Sequence, residues 1–169
     1  IASYAASQTS KLGFLIAHRS GFVAPTLAAR QAATLDHLTN GRIALHVISG
    51  GSDADQKRDG DWISHDDRYL RTEEYMQVLK KTWLSNEPFN FDGKYYKIEN
   101  GFSEIKPYNP TSIPMYFGGA SEIATRIGGL YADVFALWGE PLASIRNQIS
   151  IIRNVNPNRD QPIQFSLSV

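Results

Sequence analysis

The chain has 169 residues, 42% hydrophobic and 20% charged, with 17 acidic and 17 basic residues and zero formal net charge. That length suffices for one domain with its own core, and a balanced chain without a basic block gives no electrostatic reason to expect nucleic acid or a membrane as partner. No apolar run approaches the roughly 18 residues that span a bilayer, and the lack of cysteine excludes a disulfide framework, a thiolate metal site and a cysteine nucleophile, and fits a reducing compartment such as the cytoplasm.

Taken in chain order, Lys11 to Ala17 (KLGFLIA) is a short apolar run suited to a buried strand. Pro25 stands where a first helical turn tolerates proline. The following TLAARQAATLDHLT puts Leu27, Ala28, Ala32, Leu35 and Leu38 near helical spacing. Asn40-Gly41 supplies residues able to turn left-handed at its end. Ile43 to Ile48 reads as the next strand, broken by Gly50-Gly51. SDADQKRDGDWISHDDR is polar and Asp-rich, a loop of about seventeen residues, longer than most connections and of the kind that is functional or mobile. Tyr69 to Leu84 reads as an amphipathic helix, with Leu70, Tyr75, Met76, Leu79 and Trp83 near one face. Phe89 to Ile98 holds Asp92-Gly93 between aromatic flanks, a hairpin signal. Pro107 to Pro114 reads as irregular. Met115 to Phe117 is a strand running into Gly118-Gly119-Ala120-Ser121, and a helix follows from Glu122 to Tyr131. Val134 to Leu137 is a strand, and Trp138-Gly139-Glu140-Pro141 leads into a helix from Leu142 to Val155. Ile163 to Val169 is the last strand.

Strand and helix thus alternate about four times before a final strand, which argues for a parallel sheet with covering helices. An open doubly wound sheet and a (β/α)8 barrel of roughly 250 residues or more both fit. The chain starts at Ile1 with nothing like a secretory signal, and it closes on an alternating run, QFSLSV, with no turn after it. Both ends therefore read as cut, with further sequence expected on either side.

The sharpest local feature is a strand, then Gly118-Gly119-Ala120-Ser121, then a helix. Glycine lets backbone approach a ligand closely, and the helix aims unsatisfied N–H groups and partial positive charge at the turn. A phosphate there would meet backbone donors and the Ser121 hydroxyl; otherwise Ser121 is a plain N-cap. The full glycine fingerprint of a dinucleotide fold is missing. Ser49 and His46 lie at another strand end, where a barrel keeps its active site, although strand alternation need not aim both inward. Ala17-His18-Arg19 would reach the same face, with His18 as a partner for a cofactor ring, as an acid–base group, or as a packed residue. Arg68 could clamp a phosphate through two N–H groups or form a surface ion pair with a nearby aspartate. Trp138 could wall a flat ring system or pack in the core. Asp53, Asp55, Asp59 and Asp61 miss the glycine and glutamate of a calcium loop and read as a solvated loop, so no metal site is assigned.

Five blocks, PTLAARQAATLDHLTNGRIALHVISGG, DDRYLRTEEYMQVLKKTW, FDGKYY, PMYFGGAS and ADVFALWGEP, resemble in that order the bacterial-luciferase-like flavin-dependent monooxygenases, and among them the alkanesulfonate monooxygenases. The resemblance runs from about Lys11 to Val169. It implies a TIM-type (β/α)8 barrel, of which residues 1–169 would be an incomplete single domain holding about strands three to seven. It implies reduced FMN, supplied by an NAD(P)H-dependent flavin reductase. It also implies O2 as co-substrate by way of a flavin peroxide, and a small organosulfur compound such as an alkanesulfonate, oxidised to aldehyde and sulfite. The whole protein would be a homo-oligomer.

Position by position, the resemblance sets Ala17 and His18 against the flavin ring. His46 falls where sulfonate enzymes have Asn as a polar contact to the flavin. Ser49, Arg68, Tyr69 and the Gly119-Ala120-Ser121 turn fall on the phosphate side, and Trp138 falls beside the ring. No catalytic residue is assigned. One departure bears on the substrate: sulfonate enzymes carry Arg-x-His on strand seven, whereas here Ser168 stands at the Arg position and the His would fall past Val169. Two other readings stay open, an F420-dependent oxidoreductase of the same fold and a non-catalytic flavin-binding or truncated barrel fragment.

Overall fold

Residues 1–109 and 113–167 are described by the computed structural model, and they fall into two compact units, Ile1–Ile113 and Pro114–Val169. Both are α/β, with parallel strands joined by helices, and the first adds an antiparallel hairpin. Among the described residues no helix is long and apolar enough to cross a membrane.

The first unit runs α1 (Ala2–Ser7), β1 (Phe14–Arg19), α2 (Pro25–Leu38), β2 (Ile43–Ile48), α3 (Asp53–Arg58), α4 (His65–Leu84), β3 (Phe89–Asp92) and β4 (Lys97–Gly101). Strands β1 and β2 pair in parallel, from Phe14 opposite Ile43 to Arg19 opposite Ile48, so the chain must cross over between them, and α2 is the crossover. Along β2, Ile43, Leu45 and Val47 are buried while Ala44, His46 and Ile48 are half-buried, the period-two alternation of a strand with one covered face. Helix α2 buries a stripe of small residues, Ala28, Ala29, Ala32 and Ala33. That stripe admits the bulk of α4, whose Tyr75, Met76, Val78, Leu79 and Trp83 are buried. The Trp83 indole N–H donates to the Ala29 carbonyl at 2.9 Å, so the largest side chain of the core satisfies its one polar group. The end of α2 is as the sequence predicts: Asn40 and Gly41 both take positive φ, 53° and 75°.

Three boundaries differ from the sequence reading. Strand β1 runs from Phe14 to Arg19 rather than from Lys11 to Ala17, and none of its residues is fully buried. Before it, the carbonyls of Ala6, Thr9 and Leu12 accept from the Arg42 guanidinium at 3.1, 2.9 and 2.6 Å, which holds that stretch outside the ladder. The short helix α1 has no clear amphipathic signal and goes unforeseen. The Asp-rich stretch is not a continuous loop. Ser52 caps α3 by accepting from the Asp55 N–H at 3.3 Å, and Asp53 and Asp55 begin that helix while Lys57 and Arg58 end it, the charge order that complements the macrodipole. Ser64 then caps α4 by accepting from Asp67 N–H at 3.2 Å, so α4 opens at His65 rather than Tyr69.

The β3–β4 hairpin also departs from a two-residue turn. Asp92 pairs with Lys97, which leaves residues Gly93 to Tyr96 in the turn. The Glu74 carboxylate, from α4, accepts the N–H groups of Lys94, Tyr95 and Tyr96 at 2.7, 2.8 and 3.0 Å. A run of successive N–H groups forms an anion-binding concavity, and here the protein fills it with its own carboxylate.

The second unit runs β5 (Met115–Gly118), α5 (Glu122–Tyr131), β6 (Val134–Leu137), α6 (Leu142–Val155) and β7 (Gln164–Leu167). Strand β6 pairs in parallel with β5 on one side, Gly118 opposite Ala136, and with β7 on the other, Phe135 opposite Phe165. Helix α5 sits tightly: a Cβ on Gly128 would come within 2.4 Å of the Phe135 ring, and one on Gly129 within 2.7 Å of Val155. Carbonyls near the end of α5, those of Gly129 and Ala132, accept from Arg159 at 3.3 and 2.9 Å, satisfying groups a helix end otherwise leaves open. The helix and strand limits match the sequence reading to within one residue where they are described: β5 includes Gly118 and β7 starts at Gln164. Ser168, Val169 and the middle of the Pro107–Pro114 stretch lie outside the described residues.

Candidate functional site

In the first unit the sequence-selected residues gather at the carboxyl ends of β1 and β2. Register sets Ala17 opposite His46 and His18 opposite Val47. Alternation therefore sends the neighbours Ala17 and His18 to different faces. Ala17 shares a face with His46, away from buried Leu45 and Val47, while His18 lies on the face that α4 covers. Its Nε2 stands 2.6 Å from the Tyr75 hydroxyl. Burial holds both His18 and His46 below the ordinary imidazole value, so both are neutral at pH 7 and act as hydrogen-bonding groups rather than cations.

Beside them lies a cleft of about 470 Å³ lined by Ala17, His18, Arg19, Phe22, Val23 and Asp59. Its charges are matched. Arg19 pairs with Asp59 and lies 4.1 Å above the Phe22 ring, a cation–π contact.

Ser49 is buried directly after β2. Gly50 follows with φ of +95°, a conformation a side chain would strain, and a Cβ there would also strike Gln56 at 2.5 Å. Arg68 is 1% exposed. Its guanidinium donates to the Gly50 carbonyl at 3.2 Å, the Ile63 carbonyl at 2.8 Å and Asp53 at 2.6 Å. It thus braces the turn that follows β2 from inside, with acceptors that the protein itself provides. Tyr69 is buried next to it, its ring 4.9 Å from that of His65.

The reading of Asp53, Asp55, Asp59 and Asp61 as solvated holds for the first three, whose side chains are 60%, 57% and 51% exposed, and is corrected for Asp61, which is buried. Asp53 and Asp55 lie in α3 rather than in a loop. Asp53 pairs with Arg68, Asp59 with Arg19, and Asp61 with Arg71; only Asp55 pairs within its own helix, at 2.8 Å from Arg58 on the surface. The Arg71–Asp61 pair is bidentate, at 2.5 and 3.3 Å, with 13% and 6% of the side chains exposed. Burial by itself raises the Asp61 carboxyl, but the Arg71 hydrogen bonds and charge outweigh it and hold it below the usual carboxylate range. Among the described residues no three metal-ligating side chains cluster.

In the second unit, β5 passes into the turn at Gly118, where there is no room for a side chain. A Cβ on Gly118 would lie 2.7 Å from the Ala136 carbonyl oxygen. The Gly119 carbonyl accepts from Gln148 of α6 at 3.2 Å, and Ala120 is exposed. Ser121 is the N-cap of α5, its hydroxyl accepting from the Ala124 N–H at 3.3 Å. That contact uses a lone pair and leaves the hydroxyl proton free to donate, while the N–H groups of the first helical turn have no acceptor further back in the helix. Glu122 sits in that same turn and its charge opposes an anion placed there. Trp138, at the end of β6, is 63% exposed, so its ring is not part of this unit's core.

Sequence reasoning had counted Tyr75 only among core residues and had not singled out Arg71 or Glu74. Each acts through a partner outside α4, 10 positions away for Arg71, 20 or more for Glu74 and 57 for Tyr75, and periodicity does not show such pairings.

Comparison with known proteins places these features in context. The family model described as luciferase-like monooxygenase matches residues 1–169. A riboflavin lyase, solved with modified FMN and riboflavin, is 21% identical with a TM-score of 0.84, over 99% of this chain and 43% of that one. An EDTA monooxygenase from Chelativorans sp. BNC1 is 21% identical with a TM-score of 0.83, over 98% of this chain and 45% of that one. An F420-dependent secondary alcohol dehydrogenase, solved with an F420-acetone adduct, is 23% identical with a TM-score of 0.79, over 97% of this chain and 51% of that one. These likenesses show a shared fold, and the chain spans about half the length of those proteins or less.

Proposed function

The chain belongs to the luciferase-like monooxygenase family, and we propose that it is the middle of an FMN-dependent monooxygenase whose parallel strands close, in the whole protein, into a (β/α)8 barrel. One observation carries this reading: the candidate residues stand at or just past the carboxyl ends of their strands, Ala17 and His18 on β1, His46 on β2 with Ser49 just after it, Gly119 to Ser121 after β5 and Trp138 after β6. Parallel α/β folds bind their ligands at those ends.

The residues fit a flavin. In the first unit a neutral His46, with Ala17 on the same face, suits the polar edge of an isoalloxazine, while His18, on the face that α4 covers, meets a ligand only at the cleft at the end of β1. In the second unit the exposed Trp138 indole suits a flat ring. The Ser121 hydroxyl and the first-turn N–H groups of α5 suit a phosphate, and Arg68 shapes the turn at Ser49 rather than donating freely. Reduced FMN, when bound, supplies the activation of O2; the protein's part is to bind, orient and keep water away. On the resemblance of the five sequence blocks, the substrate is a small organosulfur compound such as an alkanesulfonate, reduced FMN comes from an NAD(P)H-dependent reductase, and the protein is a homo-oligomer.

Fold likeness to an F420-dependent dehydrogenase favours a second reading, F420 with hydride transfer. Titration of the whole protein with FMN and with F420 separates the two. FMN binding is the expected result; tight F420 binding with no FMN binding overturns it. Sulfite release from an alkanesulfonate in the presence of reduced FMN and O2 tests the substrate class, and turnover of other substrates without sulfite would withdraw that class while leaving the monooxygenase.

A further inference from the structure

We propose that Tyr75 is a positioning residue that locks His18 in the tautomer with its proton on Nδ1, so that His18 presents an N–H donor, and no lone pair, to a ligand in the cleft at the end of β1. The proposal deepens the flavin reading and rests on it only for the identity of that ligand.

The argument starts from the 2.6 Å contact between His18 Nε2 and the Tyr75 hydroxyl. This distance belongs to hydroxyl donation; N–H donors sit nearer 2.9 to 3.0 Å from oxygen. Tyr75 is fully buried on α4, and a buried hydroxyl that can donate must find an acceptor. The Nε2 lone pair is the acceptor at hand. Burial, with Tyr96 nearby, raises the phenol well above its ordinary value, so it keeps its proton throughout the working pH range. An imidazole that accepts at Nε2 and stays neutral must carry its proton at Nδ1. The rings lie 5.6 Å apart and tilted by 33°, so the imidazole is also held against rotation.

With Nε2 engaged, Nδ1 is the nitrogen left for the cleft that His18 lines. The two charged groups lining the cleft, Arg19 and Asp59, are paired with each other. A ligand meeting His18 there must offer an acceptor, as the carbonyl oxygens and unprotonated ring nitrogens of an isoalloxazine do. A ligand that needs His18 as an acceptor, or as a base through Nδ1, is excluded.

The test reads the tautomer directly. In the whole protein without flavin, side-chain nitrogen NMR of His18 should show Nε2 as the unprotonated acceptor and Nδ1 as the protonated nitrogen near neutral pH. Tyr75→Phe, which keeps the ring and its packing, should release the lock and let both tautomers appear. FMN affinity should then fall roughly three- to tenfold, the loss of one well-placed neutral hydrogen bond. A wild-type His18 protonated at Nε2, or a tautomer unchanged in Tyr75→Phe, overturns the proposal. A locked tautomer in a protein that binds no flavin would support the lock and overturn the flavin reading, so the two failures are distinguishable.

Discussion

The two units hold their candidate residues by opposite means. In the first, long side chains fix them: Arg68 bonds the carbonyl that follows Ser49, Tyr75 bonds His18, and Arg19, Arg68 and Arg71 each take one aspartate from the segment after β2. In the second, small residues and backbone do the same job. Gly118 lets β5 lie against β6, Gly128 lets α5 lie against Phe135, and the turn between them is held by a cap and by one glutamine. Side-chain clamps fail when a partner loses its charge; glycine contacts fail when any atom is added. The two units should therefore respond to different perturbations.

The largest effect is expected at the Arg71–Asp61 pair. Asp61→Asn leaves a mostly buried guanidinium without its counter-charge, and loss of one partner of such a pair costs about 3 kcal/mol or more. Denaturant or thermal unfolding measures it. The pH dependence has a definite sign. Because the folded Asp61 carboxyl lies below its ordinary value, its contribution is complete above the unfolded value, about 4, and is lost as pH falls through the lowered folded value. The gap between wild type and Asp61→Asn should therefore close in acid. A gap that stays constant from neutral pH down into that range would show that packing, not charge, accounts for the pair.

Gly118→Ala should come next, at about 1–3 kcal/mol. Its new Cβ would lie 2.7 Å from the Ala136 carbonyl, a backbone atom that cannot swing away. Gly51→Ala is the control, since a Cβ there meets nothing within 4 Å, and it should be near neutral. Equal costs for the two would remove the distinction between a glycine required by contact and one that merely sits in a turn.

The same contrast explains what the sequence made legible. The turn in the second unit is contiguous, so Gly118, Gly119 and Ser121 could be read together with the helix they precede, and the limits of β6, α5 and α6 followed from periodicity and punctuation. The parallel α/β class followed from the alternation of strand and helix. The clamps of the first unit were not legible as pairs: 57 positions separate His18 from Tyr75 and 40 separate Arg19 from Asp59. Arg68 and Arg71 meet aspartates only 15 and 10 positions away, but the sequence holds several aspartates there and does not say which arginine takes which. Within that run only Asp61 is buried, and its burial shows only once the fold places Arg71 against it. Strand alternation likewise forbids Ala17 and His18 from facing the same way, yet only the register with β2 and the contact with α4 show which of them turns toward the helix.

Ser121→Ala tests the second unit at intermediate size. Without ligand, loss of the cap should lower stability by about 1 kcal/mol. If the hydroxyl proton also reaches a phosphate, FMN affinity should fall by a further ~1 kcal/mol, and calorimetric titration of the variant reads that separately from stability. Unchanged affinity would confine Ser121 to capping.

The smallest effect is expected where a clamp is exposed. Arg19 and Asp59 are paired, but 32% and 51% of their side chains remain open to solvent. Water already stabilises both charges, so a double-mutant cycle with Arg19→Met and Asp59→Asn should give a coupling below about 1 kcal/mol that shrinks further in molar salt. The Arg71–Asp61 pair, with its mostly buried carboxylate, should resist the same salt. If the exposed pair coupled as strongly as the buried one, burial would not set the strength of these clamps. The segment after β2 would then be held by its summed charge, and high salt alone should loosen it around the cleft while leaving the glycine-built turn of the second unit unchanged.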